Sequence, residues 1–175
     1  MSTPIEMLGT IRSQGDTVEV AFDRHYATDP ADLWEAVTDP ERLARWFAPV
    51  EGDLTAGGSF TIRFDDGDIP ECSVESCDAP TSYTWLWPHG DHSSHVRVEV
   101  LADGDDGARL RLVHTRLPLR AAPEYASGWQ AYVRSLDAHL AGDTADGDWW
   151  GEFNAVRGTY AGVLEVSDGQ DDLRA

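Results

Sequence analysis

The chain has 175 residues, and its 13 basic residues, all arginine, face 32 Asp and Glu for a formal net charge of −19. A phosphate backbone requires a basic footprint and an anionic membrane surface repels a polyanion, so this acidic excess excludes nucleic acid and membrane surfaces as partners. With 41% hydrophobic residues, among them 7 Trp, 5 Tyr and 5 Phe, the chain can bury the core of one globular domain.

Residues 1–7 carry neither the basic nor the apolar region of a signal peptide and are expected to be flexible, and no apolar run reaches membrane-spanning length, which points to a cytoplasmic protein. Leu8–Arg12 and Thr17–Tyr26 flank the turn-rich Ser13-Gln14-Gly15-Asp16, a hairpin signal in which Val18, Val20 and Phe22 share one face. Asp29-Pro30 then opens a short helix with Leu33, Trp34 and Val37 on its apolar stripe. Asp39-Pro40-Glu41 opens a second, with Leu43, Trp46 and Phe47 inward and Pro49 as its stop.

From 51 to 116 the period becomes two, interrupted by Gly, Asp and Pro clusters, as in an antiparallel meander. One face reads Phe60, Ile62, Phe64, Cys72, Val74, Tyr83, Trp85, Trp87, Val96, Val98, Val100, Leu110, Leu112 and His114, and the other is polar apart from Leu86 and Val113. Cys72 and Cys77, five apart in one strand, are expected on opposite faces and unpaired. Pro123 and Glu124 begin the strongest helix, 123–141, with Tyr125, Trp129, Tyr132, Val133, Leu136 and Leu140 along one stripe and Gly142 at its end. Trp149, Trp150, Phe153 and Tyr160 mark a further helix within an appendage spanning 143–166, too apolar to stand in water; it must dock on the domain or form a homodimer with a second copy. Residues 167–175 read as a disordered tail.

Three constellations carry chemical interest. His89, His92 and His95, three apart, have the residue type of a zinc site, but a surface hairpin explains them without a metal, and none is expected. Asp103-Gly104-Asp105-Asp106-Gly107 lacks the ligand set of a calcium loop, since the twelfth position is His114 rather than Glu. His114 is the ionisable residue of an apolar face, either a core histidine bonded to a Tyr or Trp of the long helix or the polar anchor of a cavity.

The run Asp29-Pro30-Ala31-Asp32-Leu33-Trp34-Glu35-Ala36-Val37-Thr38-Asp39-Pro40-Glu41, continuing through Arg42-Leu43-Ala44-Arg45-Trp46-Phe47, resembles the START-like (SRPBCC) superfamily. Within it the similarity is to the branch of activator of heat-shock-protein-90 ATPase homologues, with Gly52-Asp53-Leu54, Tyr83-Thr84-Trp85, Arg109–Thr115 and Gly128-Trp129-Gln130 as further matches over residues 8–142. The resemblance implies an α+β helix-grip fold, a curved antiparallel sheet of about seven strands around a long C-terminal helix. It also implies non-enzymatic binding of a small apolar ligand, without a cofactor, between sheet and helix.

Phe60, Ile62, Phe64, Trp85, Trp87, Val98, Leu112 and His114 of the sheet would face Tyr125, Trp129, Tyr132, Val133 and Leu136, leaving a dry cavity where one helix cannot fill the space. Two other functions stay open. One is a protein-interaction module regulating a chaperone ATPase; the other is a cyclase- or hydrolase-like enzyme acting on an aromatic or polyketide-like substrate through His114 and Tyr125 or Tyr132.

Overall fold

The computed structural model describes residues 6–143 and 148–171, the stretch 164–171 through its backbone only. The opening hairpin forms β1 (Gly9–Gln14) and β2 (Thr17–Tyr26), followed by α1 (Pro30–Thr38) and α2 (Pro40–Trp46). The meander supplies β3 (Val50–Gly52), β4 (Ser59–Ile62), β5 (Glu71–Asp78), β6 (Ser82–His89), β7 (His92–Ala102) and β8 (Ala108–Pro118). Two helices complete the chain, α3 (Ala122–Leu140) and α4 (Trp149–Asp171).

All strand pairs are antiparallel, and the sheet runs β1-β2-β8-β7-β6-β5-β4-β3. The eighth strand, beyond the seven read from the alternation, is β3, whose three residues are too few to show a period. Strand β4 ends at Ile62, so Phe64 sits in the following turn, where the Asp66 carboxylate accepts from the Asp68 N–H and ends the extended run.

The apolar side of the sheet closes on α1, α2 and α3. Val20, Ile62, Val96 and Leu136 are fully buried, and Trp129 is 5% exposed. Helices α1 and α2 start as the sequence dictates: the Asp29 carboxylate accepts from the Asp32 N–H at 2.8 Å, the Asp39 carboxylate from the Glu41 N–H at 3.0 Å, and a proline stands at each first turn. Arg42 donates to the Asp32 carboxylate at 2.8 Å and to His139 at 3.2 Å, joining α1 and α2 to α3. Asp137 joins α3 to β2, accepting from Arg24 at 2.6 Å and from the Tyr26 hydroxyl at 2.8 Å.

One orientation differs from the sequence reading. The register of β5 shifts between Val74 and Ser76, so the extra residue Glu75 returns Cys77 to the face that Cys72 occupies, opposite Tyr83. Both thiols are free, and five residues of strand keep them on the order of 16 Å apart.

The last helix docks on the domain. Val156 is fully buried and Tyr160 is 1% exposed, whereas Trp150 remains 63% exposed. The Tyr160 hydroxyl accepts from the Gly9 N–H at 3.0 Å and donates to Gln130 Oε1 at 2.6 Å, and the Gln130 amide donates to the Glu6 carbonyl and to Glu152. Helix α3 is therefore covered on two sides, by the sheet and by α4, which explains why the polar Gln130 is fully buried. Helix α4 continues to Asp171, into the segment read as a tail; residues 172–175, and residues 1–5 of the expected flexible start, lie outside the described ones.

Candidate functional site

Between the sheet and α3 lies a small apolar cavity of about 30 Å³, lined by Phe60, Trp85, Val98, Leu112 and Trp129 of the expected set. Residues from α1, α2 and the strands beside them complete its wall: Val37, Leu43, Trp46, Phe47, Val50, Leu54, Tyr83 and Leu110. Its one hydroxyl, that of Tyr83, donates to the Val37 carbonyl, and the Trp46 and Trp129 indoles donate to the Ala36 carbonyl and to His114, so the lining is almost wholly apolar. The volume has room for only a few atoms, far below the several hundred Å³ of an ordinary ligand pocket.

The expected larger void is filled by Phe47. This residue ends α2 with φ −111° and ψ −86°, outside the helical region. Its ring stacks on Trp129 at 5.5 Å and 5°, and meets Tyr132 edge-on at 4.8 Å and Phe64 at 6.0 Å. The helical stripe of α2 puts Phe47 inward, but such a stripe gives no sign of which member reaches past its helix. Val133 and Leu136 belong to the core proper, as does Ile62, and none of the three lines the cavity.

A second group of residues forms a hydrogen-bonded chain beside the cavity. Trp129 Nε1–H donates to His114 Nδ1 at 3.0 Å, and an indole can only donate, so Nδ1 is an acceptor and Nε2 carries the proton of the neutral ring. Burial, with His89 and His95 adding repulsion, pushes the His114 pKa down to about 3. The protonated Nε2 donates to Ser94 Oγ at 2.7 Å. Ser94 Oγ lies 2.7 Å from His89 Nε2 and 3.5 Å from the Trp87 carbonyl, to which its hydroxyl can donate, and the Tyr125 hydroxyl lies 3.2 Å from His89 Nδ1. Burial also lowers the His89 pKa, in keeping with a neutral ring. The Tyr125 hydroxyl is the outermost group of this series.

His114 is thus a fully buried histidine with both ring nitrogens engaged by protein. Burial pushes the Tyr125 pKa up to about 12, so its hydroxyl stays protonated beside His89. Trp87 lies in the middle, stacked on His114 at 5.4 Å, on Phe64 at 5.6 Å and on Trp85 at 5.5 Å. Ser94 and His89 are the participants that sequence reasoning left out of the site. The loop of three histidines divides across the sheet: His89 joins the inner chain, while His95 Nδ1 pairs with Glu75 at 3.2 Å on the outer face. Among the described residues no group of three His, Cys, Asp or Glu is placed to hold a metal ion, and no helix is long and apolar enough to cross a membrane.

Comparison with known proteins places this arrangement. The profile of the family described as Activator of Hsp90 ATPase homolog 1-like protein matches residues 27–141, from the end of β2 through α3. No curated protein sequence matches the chain. Among solved structures, CalU16 from Micromonospora echinospora is 24% identical with a TM-score of 0.75, over 91% of this chain and 97% of that one. A conserved protein from Enterococcus faecalis is 16% identical with a TM-score of 0.77, over 91% of each chain. The HSP90 activator PFC0360w from Plasmodium falciparum is 22% identical with a TM-score of 0.62, over 73% of this chain and 97% of that one. At these identities the likeness is one of fold, the helix grip, and the profile match over α1 to α3 shows that the chain belongs to the Activator of Hsp90 ATPase homolog 1-like family.

Proposed function

We propose that this protein binds a small apolar, largely aromatic ligand by letting it take the place of Phe47. The observation that carries this reading is the position of Phe47: a half-buried ring on a non-helical residue at the end of a seven-residue helix, filling the space between Trp129 and the sheet. A side chain held by ring contacts alone is exchangeable for a ligand ring that makes the same contacts, at the cost of moving a helix end rather than the core. The apolar wall selects the body of the ligand, and the Tyr125 hydroxyl, a donor and an acceptor, selects for a polar group at its edge. Catalysis has less support, because the inner histidine already has two protein partners and no carboxylate stands beside it.

The smallness of the cavity favours a second reading, an interaction module regulating a chaperone ATPase, which fits the family description and needs no cavity. A thermal-shift titration with 1-naphthol and naphthalene, on the wild type and on Phe47→Ala, separates the two. Ligand binding predicts that Phe47→Ala is destabilised by about 3–5 kcal/mol without a probe and recovers part of that loss with either one. It predicts further that 1-naphthol loses its advantage over naphthalene when Tyr125→Phe is added. A Phe47→Ala protein that stays folded and gains nothing from either probe would remove the ligand reading, and stimulation of a chaperone ATPase by the wild type would then support the second.

A further inference from the structure

The grip leaves the opposite face of the sheet unexplained, and the irregularities of the fold gather there. Among the described residues the strand register breaks twice. Glu75 is the extra residue of β5 against β6, and Thr115 and Arg116 of β8 together stand opposite Glu19 of β2. The two bulges lie on either flank of the β6–β7 pair, and both border an open groove of about 760 Å³ on the outer face. Bulges re-aim side chains, and these turn an acid and a base toward the same strip of sheet.

Arg116 is the more telling of the two. Its φ is 62°, and it is the sole non-glycine residue with positive φ among those described. A long side chain rarely adopts this conformation, which bulges ordinarily give to glycine. The same side chain makes no ion pair among the described residues, although the chain has 32 acidic groups to offer. On this face Arg97, Arg109 and Arg111 are paired, with Glu99, Asp23 and Asp103, whereas Arg12 of the edge strand β1, like Arg116, has no ion pair among the described residues. A strained backbone that presents an uncommitted guanidinium to a groove is a combination that packing does not require.

The rest of the groove fits the same chemistry. The Glu75 carboxylate is already taken up by His95 Nδ1–H at 3.2 Å, which orients the ring, so that the protonated imidazolium turns an Nε2–H donor to a ligand. Ser93 adds a hydroxyl donor at the rim, beside Thr17, whose own hydroxyl donates to the Gln14 carbonyl at 3.3 Å. The floor is Leu86, one of two residues that break the apolar-inward alternation and here an apolar surface between polar walls.

We propose that this groove binds a small organic oxyanion, a carboxylate or phosphate monoester on an apolar body, with Arg116 and His95 on the anionic head and Leu86 under the body. The guanidinium fork matches either head group, and the net charge of −19 restricts the ligand to a small anion rather than a polyanion. The site is separate from the grip and holds whether or not the grip takes a ligand.

The test is an amide NMR titration of the full chain with phenyl phosphate and, separately, benzoate, with inorganic phosphate as the head group alone. Expected are saturable shifts at Thr17, Leu86, Ser93 and Arg116, and a loss of affinity of about tenfold or more in both Arg116→Gln and Arg116→Gly. The stronger of the two aromatic probes identifies the head group. Arg116→Gly should also melt at a higher temperature than the wild type, since glycine adopts φ 62° freely. Absence of saturable shifts with both aromatic probes at millimolar concentration would overturn the proposal, as would unchanged affinity in folded Arg116→Gln. Inorganic phosphate binding as tightly as phenyl phosphate would remove Leu86 from it.

Discussion

His114 shows how a single buried residue ties stability to pH. Its pKa is about 3 in the folded protein against an ordinary 6.5, so in that interval the unfolded chain binds a proton that the native chain refuses. The stabilisation is complete above about pH 6.5 and is lost as the pH falls toward 3, at up to about 1.4 kcal/mol for each pH unit. His89 and His139, both lowered by burial, act in the same direction. Urea unfolding between about pH 7 and 5, above the range in which carboxylates titrate, should show a shallower pH dependence in His114→Gln than in the wild type. An equal slope would mean that the native ring accepts the proton. Trp129→Phe keeps the ring against Phe47 but removes the donor to His114 Nδ1, and should cost about 1–3 kcal/mol in the same measurement at neutral pH.

At the scale of elements, α4 is a structural part of the domain. Removing everything after Gly142 uncovers the side of α3 that Val156 and Tyr160 bury, and strips the Gln130 amide and the Gly9 N–H of the Tyr160 hydroxyl. A loss of at least about 3 kcal/mol is expected, read as a lower melting temperature, and an unchanged one would show that the helix contributes nothing. Tyr160→Phe should cost a smaller amount, about 1–3 kcal/mol, for the two broken bonds alone. The sequence made most of the elements legible because their burial is periodic: alternation located the long strands, and three- and four-residue spacing located α3. It could not show Gln130 or Ser94 as interior residues, since a polar side chain in a pattern reads as surface until its distant partner is known. Nor could it show the side of Cys77, which one bulge reverses, or Phe47 as the occupant of the grip, since that depends on how far α2 leans toward Trp129.

For the whole molecule the dominant long-range term is self-repulsion from the net charge of −19. The ladder of Arg97, Glu99, Arg111, Asp23, Arg109 and Asp103 on the outer face offsets it locally, but exposed pairs of this kind contribute little each. Added potassium chloride screens both, and because acids outnumber bases by more than two to one the melting temperature should rise with salt. A fall would mean that the ladder outweighs the repulsion. The clamping of α3 between sheet and α4 has a kinetic consequence. The long helix cannot lift without breaking two interfaces, whereas α2 is seven residues held by Arg42 and by the Trp46 indole on the Ala36 carbonyl at 2.8 Å. The protein therefore opens at α2 if it opens at all, and amide protons there should exchange with solvent well before those of α3, which wait for global unfolding. Association with a ligand that displaces Phe47 would then reach a ceiling as its concentration rises, and the ceiling would be the opening frequency of that one short helix.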